Sequence, residues 1–144
     1  MLSQKAKYAL QALAYLAAHH KEQTPVLIGT IAQEKRIPVK FLEAILCELR
    51  NHDVLTSIRG RHGGYRLAEH PKKTTLAKVI RIIDGPIALI SCVSLNFYKP
   101  CENCRETTCC INPVMQEARD AILKVLERRT LQDIMDKTEN VLQR

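Results

Sequence analysis

The first twenty residues carry apolar side chains at the three- and four-residue spacing of an α-helix. Polar side chains at Tyr8, Gln11 and Tyr15 interrupt the apolar run, which favours an amphipathic helix over about residues 3–20 rather than a signal peptide. The residues that define its apolar stripe are Leu2, Ala6, Ala9, Leu10, Leu13, Leu16 and Ala17.

Two short helices are predicted next. A loop at Thr24 and Pro25 leads into Val26–Ile28, a short strand or lead-in, and the first short helix then begins at Gly29 or Thr30. A turn at Ile37-Pro38 starts the second, over residues 39–50. One side of this second helix is apolar (Phe41, Leu42, Ile45, Leu46, Leu49), and the other presents Lys40, Glu43, Ala44 and Arg50. Two short helices joined this tightly predict a helix-turn-helix.

A glycine-rich β-hairpin follows the helix-turn-helix. Residues 54–58 alternate like a strand, residues 59–64 form a turn, and residues 65–67 return. This order predicts a winged helix. The tip carries Arg59, Arg61 and His62, which favours a wing that contacts DNA over a purely structural corner. The Gly63-Gly64 pair lacks the strand–loop–helix context of a nucleotide phosphate-binding loop.

The remaining sequence predicts three more helices. The first spans about residues 75–83 and ends at Asp84-Gly85-Pro86, the long second one starts at Pro113, and a short last one has Thr130 as its N-cap. The long helix has an apolar stripe that either packs on its own domain or pairs with a second copy, and we favour pairing. The residues expected in that dimer interface are Val114, Ala118, Ala121, Ile122 and Val125.

The net positive charge comes from the winged-helix part of the chain. The net charge is +7, yet residues 1–81 contain 14 Lys/Arg against 6 Asp/Glu, and residues 82–144 contain 8 against 9. A basic module of this kind indicates a surface for duplex DNA. The residues expected to contact DNA are Thr30, Pro38, Val39, Lys40, Glu43, Ala44, Arg50, Arg59, Gly60, Arg61 and His62.

Five of the six cysteines lie between Cys92 and Cys110. Thiols at this density indicate soft-metal or redox chemistry. An iron–sulfur cluster, a structural zinc ion and a metal-free dithiol switch all remain open, although the adjacent pair Cys109-Cys110 is a poor disulfide. We expect the sixth cysteine, Cys47, to be buried as a small hydrophobe on the second short helix.

Three runs of sequence resemble the IscR/NsrR/CymR-type (Rrf) family of bacterial winged-helix regulators. They are Lys7-Tyr8-Ala9-Leu10, Ile37-Pro38…Phe41-Leu42-Glu43, and Ser57-Ile58-Arg59-Gly60…Gly63-Gly64-Tyr65-Arg66-Leu67-Ala68. The later run Ile83-Asp84-Gly85 and the cysteine cluster before a long helix also match. The resemblance covers nearly the whole chain. It implies a homodimeric, cytoplasmic transcription factor that reads palindromic sites, and several members hold an iron–sulfur cluster with three cysteines.

The resemblance also implies a ligand set. Cys104 and Cys110 have the spacing of two family ligands, and Cys92 corresponds to the first. Some members add a histidine after the last cysteine, or a carboxylate from the partner's first helix, but here no His follows His70 and position 8 is Tyr8. Cys101 is therefore our fourth ligand. We expect a 2Fe–2S cluster, with 4Fe–4S or zinc as alternatives.

Other classes of protein fit the sequence less well. No nucleophile–base arrangement, phosphate loop or carboxylate pair indicates an enzyme, and no apolar run approaches the length of a membrane span. A cluster-carrying electron-transfer protein would leave the basic half unexplained. We therefore predict a mainly α fold with a small β-hairpin: a winged helix-turn-helix over residues 1–85, a cysteine-rich cofactor loop over 86–112, and a dimerisation helix and C-terminal helix over 113–144.

Overall fold

The computed structural model describes residues 1–135 as five helices and one hairpin, followed by a helical segment at residues 131–135. The end of the predicted C-terminal segment, residues 136–144, lies outside the described residues. The order of the elements confirms the mainly α fold with a small hairpin. They are α1 (Gln4–Ala18), α2 (Ile28–Lys35), α3 (Val39–Asn51), β1 (Leu55–Ile58), β2 (Gly64–Leu67), α4 (Leu76–Ile83) and α5 (Asn112–Leu126).

One hydrophobic core joins α1, α2, α3 and the hairpin. Leu13, Ile31, Leu42, Ile45 and Leu49 are fully buried in it. The start of α1 is fixed by Ser3, whose hydroxyl accepts the backbone N–H of Ala6, as expected of an N-cap. Helix α2 ends at Arg36, which has the left-handed conformation (φ 52°), and α3 begins three residues later at Val39.

The wing is an antiparallel pair in which Leu55 lies opposite Leu67 and Ile58 opposite Gly64. Val26 forms a bridge to Tyr65, with backbone hydrogen bonds of 2.8 Å in both directions, so the wing is tied to the chain before α2. A side chain at Gly64 would lie 2.3 Å from the carbonyl oxygen of Val26, and the φ of Gly64 is +142°. Glycine is therefore required where the wing meets this bridge.

Two details of the predicted elements were wrong. Helix α2 begins at Ile28 with Leu27 at its N-cap, so neither Gly29 nor Thr30 caps it. Residues 26 and 27 are a lead-in to this helix, as one of the two alternatives predicted, and Val26 forms an isolated bridge rather than part of a strand. Phe41 was placed on the buried side of α3, but it is 58% exposed and packs edge-on against Tyr8 at 6.4 Å between ring centroids. Phe41 precedes Leu42 by one residue, which turns its side chain about 100° away from the buried Leu42–Ile45–Leu49 stripe.

The end of α5 returns to the winged domain. Leu76 donates its N–H to Arg129, and Leu131, fully buried, donates its N–H to Thr74. Thr130 is the predicted cap, and Asp133 accepts both its backbone N–H at 2.7 Å and its hydroxyl. The helical segment at residues 131–135 thus packs on the hydrophobic core through Leu131 and Met135.

None of the helices in residues 1–135 combines the length and the apolar character needed to span a membrane.

Candidate DNA-binding surface and cysteine site

One face of α3 is open to solvent. Its opposite side is fixed in the core, so Val39, Lys40, Glu43 and Ala44 all point outward from the first half of the helix. Thr30 on α2 and Pro38 in the turn are exposed beside them. The structure therefore brings the predicted base-contacting residues onto a single surface. The major groove of B-form DNA is wide enough to admit an α-helix, and α3 presents its polar face for such a contact.

Arg50 connects α3 to the wing. Its guanidinium donates to Ser57 Oγ at 3.5 Å and to Cys47 Sγ at 3.4 Å. Asn51 also lies 4.0 Å from the same sulfur. Cys47 is half-buried rather than buried, so the expectation of a purely apolar environment was wrong. These contacts hold the Arg50 side chain between α3 and β1.

The wing tip is exposed at every predicted contact residue: Arg59, Gly60, Arg61 and His62. Gly60 has a φ of +109°, which a residue with a side chain rarely adopts, and this sets the bend between the two arginines. A side chain at Gly63 would meet the carbonyl oxygen of Ile58 at 2.1 Å. The glycines shape the tip, and the arginines give it its charge.

Sequence patterns missed two contacts that fix the angle of α3. Lys5 on α1 forms an ion pair with Glu48, and Tyr8 on α1 packs against Phe41. The only signal for the second contact was that both aromatic side chains lay on helices predicted to pack together. Both contacts join α1 to α3 and so help to set the direction in which the exposed face of α3 points.

Two other cysteines of the loop, Cys101 and Cys109, lie close enough to Cys104 for their thiols to affect its pKa. The pKa of Cys104 is raised to about 12, first by the interaction with Cys101, then by desolvation and by the interaction with Cys109. Cys101 and Cys104 are two of the four predicted ligands. Cys109 was not predicted.

Cys109 lies at the start of α5. The backbone N–H groups of Ile111 and Asn112 donate to its sulfur, and this lowers the pKa of the Cys109 thiol. Cys110, the predicted ligand, is exposed, and the sulfur of Cys92 lies 3.8 Å from Asn112 Nδ2. A signal for Cys109 was present in the sequence, since Pro113 marks the first turn of a helix whose free N–H groups attract a thiolate.

The donor set fits a thiolate-bound cofactor by its chemistry. Five cysteines lie within one loop, and Cys104 is close to both Cys101 and Cys109. Within residues 1–135, however, no three Cys, His, Asp or Glu side chains converge on one point as the ligands of a metal ion. Ligation by Cys92, Cys101, Cys104 and Cys110 together would therefore require this loop to close further.

The apolar stripe of α5 is largely uncovered. Val114 is 58% exposed, Val125 51% and Ile122 37%, with Ala121 also exposed and Ala118 half-buried. The helix buries only Asn112 and Leu123. The face predicted for dimer contact is thus free in the single chain.

Comparison with known proteins assigns this architecture. The model of the Rrf2 family, described as iron-dependent transcriptional regulators, matches residues 2–137. The chain belongs to the Rrf2 family. Its relatives include the rrf2-like HTH-type transcriptional regulator of Rhodobacter capsulatus, which is 41% identical over 94% of this chain and 92% of the relative.

Solved structures of Rrf2 proteins share the fold. The global cysteine regulator CymR of Bacillus subtilis matches with a TM-score of 0.79 at 30% identity, covering 95% of this chain and 97% of CymR. IscR of T. potens matches with a TM-score of 0.74 at 27% identity, covering 98% of this chain and 90% of IscR. The resemblance drawn from the sequence is confirmed. The protein is a winged-helix transcriptional regulator that binds DNA, and it is not an enzyme.

Proposed function

We propose that this Rrf2 protein is a cytoplasmic homodimer whose affinity for a palindromic operator is controlled by an iron–sulfur cluster on the Cys92–Cys110 loop. The observation that carries the proposal is the group of five cysteines on one loop, with Cys104 close to Cys101 and Cys109, directly before the helix that exposes the dimer stripe. A 2Fe–2S cluster is the first choice, and a 4Fe–4S cluster is the alternative. The physiological signal would be redox state, iron–sulfur supply or nitric oxide.

The DNA-binding role is assigned to the exposed face of α3 and to the wing. Glu43 would accept a hydrogen bond from cytosine N4, and Lys40 would donate to guanine or to phosphate. Val39 and Ala44 offer apolar contact to a thymine methyl group. Arg59 and Arg61 would enter the minor groove, where negative potential is strongest in narrow stretches. Thr30, Pro38, Arg50, Gly60 and His62 complete the proposed surface.

Glu43→Ala tests base reading. The variant should change the preferred sequence more than the overall affinity, because it removes a contact to one base and no positive charge. Thr30→Ala, at the edge of the surface, is the matched control and should alter affinity without altering the preferred base. Selection from a randomised operator library measures both. A uniform loss of affinity across all sequences would contradict the assignment of Glu43.

Cys92, Cys101, Cys104 and Cys110 are the proposed ligands. Thiolates ligate iron only when deprotonated, and several anionic sulfurs close together need the positive charge of a metal between them. A bound cluster would supply a centre that oxidants or nitric oxide can alter. Bound zinc would give a structural site of similar donors, and a metal-free pair such as Cys101 and Cys104 would give a thiol switch.

Single alanine variants of the loop cysteines test this site. Cys92→Ala, Cys104→Ala and Cys110→Ala should each lose iron and change operator affinity. Cys47→Ala, which removes a thiol outside the loop, is the matched control and should keep its iron. A further single variant, Cys109→Ala, shows whether Cys109 or Cys110 is the last ligand, since only the loss of a true ligand should remove iron. If iron is lost in the loop variants while affinity for every operator is unchanged, cofactor control of DNA binding is excluded.

A further inference from the structure

Asn112 is a buried polar residue in an unexpected position. It lies at the first residue of α5 and is only 7% exposed. Its Nδ2 atom points at the sulfur of Cys92 at 3.8 Å, and its Oδ1 atom accepts a hydrogen bond from Gln116 Nε2 at 2.6 Å. Burying an amide costs free energy unless its polar atoms are paired, and here both are paired. One of the two partners is a cysteine sulfur.

A second polar side chain, that of Arg119, holds the same segment two helical turns further along α5. Arg119 Nη1 donates to the carbonyl oxygen of Val93 at 2.6 Å, and the arginine side chain is only 12% exposed. Its charge is balanced by Asp120, whose Oδ1 lies 2.8 Å from both Nε and Nη2. Val93 itself is 2% exposed. The residues on both sides of the Cys92–Val93 peptide are therefore fixed to one helix.

The short turn that carries Cys92 is also closed by its own bonds. Ser91–Val93 form a 3-10 turn, and the N–H of Lys99 donates to the carbonyl oxygen of Ser91 at 3.3 Å. Ser94, 6% exposed, accepts the N–H of Phe97. Cys92 and Cys109 are half-buried, whereas Cys101, Cys104 and Cys110 are exposed.

We propose that Asn112 and Arg119 are positioning residues that hold Cys92 against α5, and that this anchor transmits a change at the cysteine loop to the dimer helix. The role of Cys92 as a ligand rests on the proposed function, but the anchor does not. An N–H donor to a ligand sulfur tunes a bound metal centre. A change that moves Cys92 must break the bond to Asn112 or pull on the first turn of α5.

The anchor is tested first on the reduced, metal-free full-length protein. We measure hydrogen exchange at the first turns of α5 in the wild type, Cys92→Ala, Asn112→Ala and the double variant. Cys92→Ala should raise exchange by about fivefold, the equivalent of one lost hydrogen bond of typical strength. Asn112→Ala should raise it at least as much, because this substitution also removes the bond from Gln116. The double variant should exchange no faster than Asn112→Ala, because the contact with Cys92 is already lost there. Glu117→Gln, on the exposed side of α5, is the matched control and should leave exchange unchanged.

A second readout separates positioning from a general loss of structure. Alkylation of Cys92, followed by peptide mass spectrometry, should become several-fold faster in Asn112→Ala and in Arg119→Gln, with Cys47 unchanged. Asn112→Gln keeps the N–H donor and should restore slow alkylation. In the iron-loaded protein, Asn112→Leu keeps the volume without the donor and should lower the reduction potential.

Three results would overturn the anchor. The first is additive exchange in the double variant, and the second is unchanged alkylation of Cys92 in both anchor variants. The third is equal acceleration at Cys47, which would indicate global loosening. The wild type could bind no iron while hydrogen exchange in the double variant is still no faster than in Asn112→Ala. In that case the proposed function fails and the anchor stands.

Discussion

The dimer stripe gives the most quantitative prediction, through Ile122→Asp. Ile122 is 37% exposed in the single chain and lines a groove together with residues 1–3, the end of α4 and residues 86–89. In a twofold dimer the same patch is used twice, so one substitution changes the interface at two symmetric positions. The variant should therefore weaken association far more than it weakens folding.

The magnitude follows from the exposed fraction. Burying a whole isoleucine side chain contributes about 1.5–3 kcal/mol, so covering the exposed third contributes about 0.5–1 kcal/mol per protomer. A carboxylate at the same position adds a desolvation cost of about 2 kcal/mol or more per protomer. Over two protomers the loss is at least about 5 kcal/mol, which raises the dimer dissociation constant by more than about 1,000-fold.

Sedimentation velocity over a concentration series measures this change. Ile122→Asp should sediment as a monomer where the wild type is a dimer, and it should bind operator poorly. Lys124→Asp is the matched control, because position 124 lies about 200° around the helix from Ile122, on the opposite face. A folded Ile122→Asp variant that remains dimeric at every concentration would refute the assignment of the stripe.

Three further predictions concern the wing, the last helical turn and the loop thiols. Arg59→Ala and Arg61→Ala should each weaken DNA binding and reduce the slope of log affinity against log salt by about one, measured by fluorescence anisotropy; unchanged slopes would remove the wing from the interface. The pKa of Asp133 lies below its ordinary value of 3.8 because a backbone N–H donates to the carboxylate. The ionised carboxylate thus contributes its full stabilisation above about pH 3.8, and this stabilisation is lost as the pH falls through the lowered pKa. Asp133→Asn should therefore make the free energy of unfolding depend less on pH in the acid range. At about pH 8, Cys109 should alkylate faster than Cys104 in metal-free protein, although Cys104 is more exposed, because the thiolate is the nucleophile; the reverse order would contradict the backbone bonds to Cys109.

Periodic patterns predicted the winged helix well because its core depends on them. The boundaries of α3 follow from Pro38 and from the spacing of Leu42, Ile45 and Leu49, and the wing follows from its glycines. The prediction for Phe41 was wrong because an apolar residue next to a buried stripe is expected to be buried as well. Its actual partner, Tyr8, lies 33 positions earlier, and such pairing depends on how α1 and α3 pack.

The cysteine loop was less predictable for the same physical reason. The sequence indicated its chemistry, but the proximity of Cys101, Cys104 and Cys109 depends on the path of a loop with little regular structure. Asn112 resembles an ordinary helix-start residue before a proline. Its burial is decided by the Ser91–Val93 turn, which packs on α5 from about twenty positions earlier.

Operator binding by two preparations of the same protein tests the central claim most directly. One is purified anaerobically and assayed for iron, sulfide and zinc, and the other is the same sample after removal of its iron by a chelator under reducing conditions. We predict iron with matching sulfide in the first sample, and a change in operator affinity of tenfold or more, about 1.4 kcal/mol, between the two. Zinc without iron in the first sample, or equal operator affinity in both, would contradict control of DNA binding by an iron–sulfur cluster.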